Sequence, residues 1–217
     1  MSPENVNLIA LALILATMSL LPLFMIVCTA FLKIAIVLMI VRSALGVQQV
    51  PPNIVIYSIA LVATIFIMTP VGYEVVQNFE DNPLDFINTE RLKDSLFDNL
   101  EPIKSFMIRN ADPDMIIHLI DVTLRIWPSE IASHVGRDDL VIIIPAFMLS
   151  ELQRGFEIGF LIYIPFIVID LIVSNLLLAL GMQMVSPMTI SLPLKILLFV
   201  MISGWTHLLD SLFYSYL

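Results

Sequence analysis

Apolar stretches close to 20 residues long, almost free of charge, limit what this chain can fold into more than any other feature. Leu8 to Val41 forms the first block, interrupted by Pro22 and Lys33. Ile54 to Gly72 forms the second, Ile158 to Leu180 the third, and Val185 to the C-terminus the fourth. A helix that crosses the hydrocarbon of a bilayer needs about 20 apolar residues, so each block meets that length. Only 13% of the 217 residues are charged, against roughly 25% in soluble domains, and the mean hydropathy is +0.97. With 59% of its residues hydrophobic, a chain of this length cannot bury its apolar surface in one soluble core. The expected class is all-α: membrane-associated helical hairpins within a larger assembly, with a small polar module inserted.

The punctuation sets the organisation. The first block is too long for one straight span and is expected to break near Pro22. Gly46, Gln48, Gln49, Pro51 and Pro52 mark a turn before the second block. Leu92, Leu96, Leu100, Ile103 and Met107 recur at helical spacing, and Asp112–Pro113 then reads as a helix start. Met115, Ile116, Leu119, Ile120, Thr123 and Trp127 continue one apolar face until Pro128 stops it. A short apolar run, Leu140 to Phe147, precedes the charged patch Glu151, Arg154 and Glu157, and a tight loop from Gly181 to Pro187 joins the last two blocks as a hairpin. Three units follow: apolar helices over 1–73, an acidic helical module over 74–139, and an apolar hairpin with a Met-rich turn over 140–217.

Charge is concentrated in the middle unit. Between Glu74 and Asp139 stand 14 acidic and 6 basic residues; outside it there are 5 and 4. No basic face is available to neutralise phosphates, which argues against nucleic-acid binding. Cys28, the single cysteine, excludes an internal disulfide framework and reads as a small buried hydrophobe. The first basic residue is Lys33, so the N-terminus lacks the basic start of a cleavable secretory signal and reads as retained. Arg42 and Lys195 beside the two short loops place those loops on the cytoplasmic side, with the acidic module and both termini outside.

Few residues suggest chemistry. Asp170 lies within the third block, where a carboxylate serves an ion path or proton relay, or meets a partner such as Lys195 that keeps neighbouring helices in register. Glu151, Arg154 and Glu157, three apart, line one helical face as intrahelical ion pairs, a solvated face or a contact to a neighbouring subunit. His118, His134 and His207 match no metal spacing, and neither a nucleophile elbow nor a phosphate loop is present, so neither an enzyme nor a cofactor is expected. Met182, Met184 and Met188 sit in the last turn, where methionine either fills gaps or forms a deformable constriction.

Longer motifs carry a resemblance. Phe156-Glu157-Ile158-Gly159-Phe160, Tyr163-Ile164-Pro165-Phe166 and Ile169-Asp170-Leu171 resemble the core export-gate protein of type III secretion systems, the FliP/SctR family. Ser174-Asn175, Val185-Ser186-Pro187-Met188-Thr189-Ile190, Leu192-Pro193-Leu194-Lys195 and the segment Leu45 to Asn53 extend the match, and the features favour the injectisome branch. The resemblance implies a ring of about five copies, completed by an SctT/FliR-like subunit and wrapped by an SctS/FliQ-like one. That ring passes unfolded secreted proteins across the bacterial inner membrane and stands largely on its periplasmic side, with membrane lipid as a further partner. It implies a pore gasket at Met182, Gln183, Met184 and Met188, with Gln183 departing from the family's run of three methionines. It also implies subunit contacts near Glu151 and Lys195, alongside the candidates Arg154, Glu157 and Asp170. The rival class is a small secondary transporter coupled through Asp170, which requires an inverted repeat that the sequence does not display.

Overall fold

The computed structural model describes residues 15, 19–20, 22–47, 50–83 and 95–216. Leu92 and the Gln48–Gln49 pair lie outside them. Among the described residues the chain is helical and contains no strand. The first helices are α1 (Pro22–Cys28), α2 (Phe31–Ala44) and α3 (Asn53–Asp81). The polar module contributes α4 (Glu101–Asn110), α5 (Pro113–Ile126) and the single turn α6 (Ser129–Ala132). The C-terminal part is α7 (Leu140–Ala179), α8 (Pro187–Met201) and α9 (Gly204–Tyr214).

Helix α2 is apolar on every side and lies at the centre, as a helix without a polar face must. Ile34, Val37, Leu38 and Val41 are buried against α3 and, most extensively, α7. Close approach to α7 depends on glycine. A methyl group at Gly159 would stand 2.4 Å from Ile40 Cδ1 and 3.1 Å from Ile40 Cβ, and one at Gly155 would touch the Lys33 backbone at 3.5 Å.

Two expectations about breaks are corrected. The break expected near Pro22 adjoins residue 21, which lies outside the described residues; among the described residues an 81° bend follows Cys28, at Thr29–Ala30. There the Thr29 hydroxyl donates to the Met25 carbonyl and accepts from the Phe31 N–H, diverting the helical ladder. The run Leu140 to Phe147, the charged patch and the third block are not separate pieces but one helix of 40 residues that contains Pro145 and Pro165. The fourth block is not one helix: α8 and α9 meet at 62°, beside Ser203 at φ 52°. Helix α3 also continues past Gly72 to Asp81 despite Pro70.

The turn signals elsewhere match the fold. Gly46 and Gly181 take φ values of 80° and 73°, which favour glycine. Asp112 caps α5 by accepting from the Asp114 N–H at 2.9 Å, Pro113 occupies the first turn, and the helix ends just before Trp127 and Pro128. Cys28 is buried and free.

Among the described residues, two helices, α3 and α7, are long and apolar enough to cross a membrane, or up to four spans if each bent pair counts as one. At 1.5 Å per residue α7 is roughly 60 Å long, about twice the hydrocarbon thickness. Its first half therefore stands outside the lipid core if its second half spans it.

Candidate functional site

Among the described residues, the candidate side chains fall into three arrangements. The deepest lies where α2, α7 and the residue after α9 meet. Lys33, in the first turn of α2, and Glu151, on α7, are both fully buried, with Nζ 3.3 Å from Oε1. Two buried charges are costly unless further partners satisfy them; Tyr216 contacts both, although Lys33 Nζ and Glu151 Oε1 have no hydrogen-bond partner among the described residues. Its hydroxyl donates to Glu151 Oε2, and its ring lies under the Lys33 ammonium, 3.4 Å from centroid to Nζ. The hydroxyl also lies 3.4 Å from the Ala30 carbonyl, at the bend between α1 and α2. Burial, and next the Glu151 charge, push the Tyr216 hydroxyl above its ordinary range, so it remains protonated as a donor. The ring stacks on Phe106 of α4 at 5.8 Å.

The same stretch of α7 holds the polar module. Ser150 Oγ accepts from the Asp112 N–H at 2.8 Å, and Arg154 Nη1 donates to the Asn110 carbonyl at 2.8 Å. Arg154 also lies 3.9 Å from Glu151 Oε1. Consecutive turns of one helix thus clamp the bend, the module and the residue after α9. Glu151, Arg154 and Glu157 do not form a single solvated face: Glu151 is buried, Arg154 is half-buried, and only Glu157 is open. Spacing put all three on one side, but the packing of α2 covers the side's first residue.

A second clamp crosses the hairpin. Lys195 Nζ of α8 lies 2.5 Å from Asp170 Oδ2 of α7 and donates to the Ala44 carbonyl at the end of α2 at 3.1 Å. The structure brings these two sequence candidates together within one chain. Asp170 keeps 46% of its side chain exposed while Lys195 is nearly covered, so this pair opens to its surroundings on the carboxylate side.

The third arrangement is the α7–α8 turn. Met184 is 100% exposed, and Met182 and Met188 are 43% and 50% exposed. Gln183 is exposed beside them. None of the four fills a gap in its own chain. Lys33 and Tyr216 were not candidates in the sequence. Lys33 carried a usable signal, the same lone charge in an apolar block that marked Asp170; Tyr216 carried none.

Apolar helices of spanning length, charges neutralised between them and an exposed turn define a membrane-embedded helical subunit. The comparison with known proteins names its family. Residues 3–212 match the FliP family. The chain is 63% identical over 207 residues to the harpin secretion protein HrpW of Pseudomonas syringae pv. syringae, covering 95% of this chain and 100% of the relative. It is 58% identical over 217 residues to the harpin secretion protein HrcR of Erwinia amylovora, covering 100% of both. It is 44% identical over 214 residues to the Yop proteins translocation protein R of Yersinia pestis, covering 99% of this chain and 97% of the relative. The chain belongs to the FliP family, the SctR/FliP family of the type III secretion export apparatus.

Proposed function

We propose that this chain is the pore-forming subunit of the export gate, and that a ring of copies conducts unfolded proteins across the inner membrane. One observation carries the reading: the methionine turn is bare at the tip of a hairpin whose flanks are also bare. Leu171, Ile172, Leu176 and Leu178 on α7, Leu180 just past its end, and Leu194 and Leu197 on α8 are all exposed. Apolar flanks of this extent require lipid or neighbouring protein. In a ring, they pack against the next copy and against SctS/FliQ-like and SctT/FliR-like partners, and the tips converge.

Converging tips make a dry constriction. Methionine is unbranched and polarizable, so it closes around irregular shapes and yields to an arriving chain. Water and ions are excluded when the ring is shut, as at other apolar gates. Gln183 supplies one polar group per copy, and the seal rests on Met182 and Met184. Gating is passive in this mechanism, and energy and substrate selection come from partners. The buried ion pairs keep each copy rigid, so that displacement is confined to the turn. Glu157, which is exposed, is left for contacts between copies. The transporter reading loses its coupling group, because Asp170 is already paired with Lys195.

Native mass spectrometry of the protein, gently extracted with its co-expressed neighbours, tests the assembly. A discrete complex of about five copies, with or without the two partner subunits, is expected. A monomer or dimer under conditions that hold a control complex together contradicts it.

A further inference from the structure

The outer side of α3 carries an apolar groove with charges at one end only. Two hollows run along it and meet at the contact between Phe66 and Phe213, whose ring centroids are 5.0 Å apart. The first, about 720 Å³, lies between α3, α4 and α9. The second, about 550 Å³, continues between α3 and α9 past Val62, Ser58 and Leu209 to Ile54. Both fall in the roughly 300–1,000 Å³ range of ligand sites. From Val71 to Ile54 the groove follows α3 for roughly 25 Å at 1.5 Å per residue, enough for an extended acyl chain.

Its interior offers little to a polar ligand. The hydroxyls of Ser58 and Thr69 donate to the carbonyls of Ile54 and Ile65 on their own helix, so neither is free. The charged lining residues, Arg109 of α4 and Asp210 of α9, both border the first hollow. Neither makes an ion pair or a side-chain hydrogen bond among the described residues. Two opposite charges that border one cavity without neutralising each other are complementary to a zwitterion. Tyr214, 70% exposed on the same rim, is the residue type that sits at the level of lipid headgroups.

We infer that this groove binds a zwitterionic phospholipid with a primary amine. Its phosphate meets Arg109, its ammonium meets Asp210, and one acyl chain passes over Phe66 and Phe213 into the second hollow. A guanidinium offers a planar pair of donors to phosphate, and a carboxylate accepts from an ammonium, so each end of the headgroup has its own partner. Phosphatidylglycerol brings the same phosphate to Arg109 but only a neutral glycerol, with no cation, to Asp210. The inference does not depend on how the methionine turn behaves.

The test uses the intact complex, stripped of lipid in detergent and offered phosphatidylethanolamine or phosphatidylglycerol of identical chains, with adducts read by native mass spectrometry. Wild type is expected to retain phosphatidylethanolamine about tenfold better, the factor that one charge-assisted contact supplies. Arg109→Gln is expected to weaken both lipids. Asp210→Asn is expected to abolish the preference by removing the ammonium's carboxylate partner. Val62→Trp, which fills the second hollow, is expected to reduce both adducts without altering copy number. Equal retention of the two lipids by wild type, or an unchanged preference in Asp210→Asn, overturns the assignment. So does a groove without adduct in which Val62→Cys crosslinks to a neighbouring subunit, since protein then occupies it.

Discussion

Lys33→Met is expected to destabilise the protein by about 3–5 kcal/mol, the cost of leaving one member of a buried ion pair uncompensated. The size follows from geometry. Glu151 is fully buried, and Lys33 is its nearest cation at 3.3 Å. Arg154 is farther away at 3.9 Å and is engaged with the Asn110 carbonyl, so it does not take over. The combined variant Lys33→Met/Glu151→Leu removes both charges and should recover most of the loss, because apolar replacements of buried pairs are often neutral or stabilising. Thermal unfolding in detergent, read as a double-mutant cycle, separates the pair's coupling from the cost of the orphaned carboxylate. Additive effects of the two substitutions would show that the residues do not act as a pair.

Tyr216→Ala is expected to cost about 3 kcal/mol, the lower end of the range for deleting a large core aromatic, because Tyr216 is partly buried. Three interactions disappear together: the hydroxyl donated to Glu151, the ring beneath the Lys33 ammonium, and the stack on Phe106. Tyr216→Phe separates them. It keeps the ring and loses only the donor, at about 1.5–3 kcal/mol for a hydrogen bond to a charged group. The expected order of melting temperatures is wild type, Tyr216→Phe, then Tyr216→Ala. The polar module should loosen as well, because Phe106 belongs to α4. Increased amide exchange across Glu101–Asn110 checks that link between the residue after α9 and the module. An unaltered exchange pattern in Tyr216→Ala would contradict it.

Much of this architecture is legible in the sequence, for identifiable reasons. Apolar blocks of spanning length have few alternatives to helices, since only backbone bonded within its own segment is stable in an apolar medium. Asp112–Pro113 and Gly181 are local signals and act locally. Asp170 calls for a partner such as Lys195 because a lone carboxylate within an apolar block is costly. What escaped the sequence depends on distant packing. In the sequence only Pro22 and Pro128 read as breaks, and Pro70, Pro145, Pro165 and Pro193 lie within helices. Neighbouring helices can re-satisfy the groups a proline frees, so its local penalty is not decisive. Among the described residues the sharp bends lie at Thr29–Ala30 and at Ser203, positions the sequence reading did not single out. The Lys33–Glu151 pair joins elements far apart in the chain, and spacing within a helix cannot reveal a partner on another helix. The exposed methionines are the opposite case: the sequence left them between gap-filling and a seal, and the fold leaves them without a gap to fill.

The central claim is that the bare methionine turn closes a pore. Ion conductance of the purified complex in planar bilayers, comparing wild type with Met182→Ala/Met184→Ala, addresses it most directly. Shortening both side chains widens the constriction while leaving the hairpin and its clamps intact, so the variant should assemble normally and leak ions where wild type stays closed. An intact variant complex with conductance equal to wild type would contradict the account.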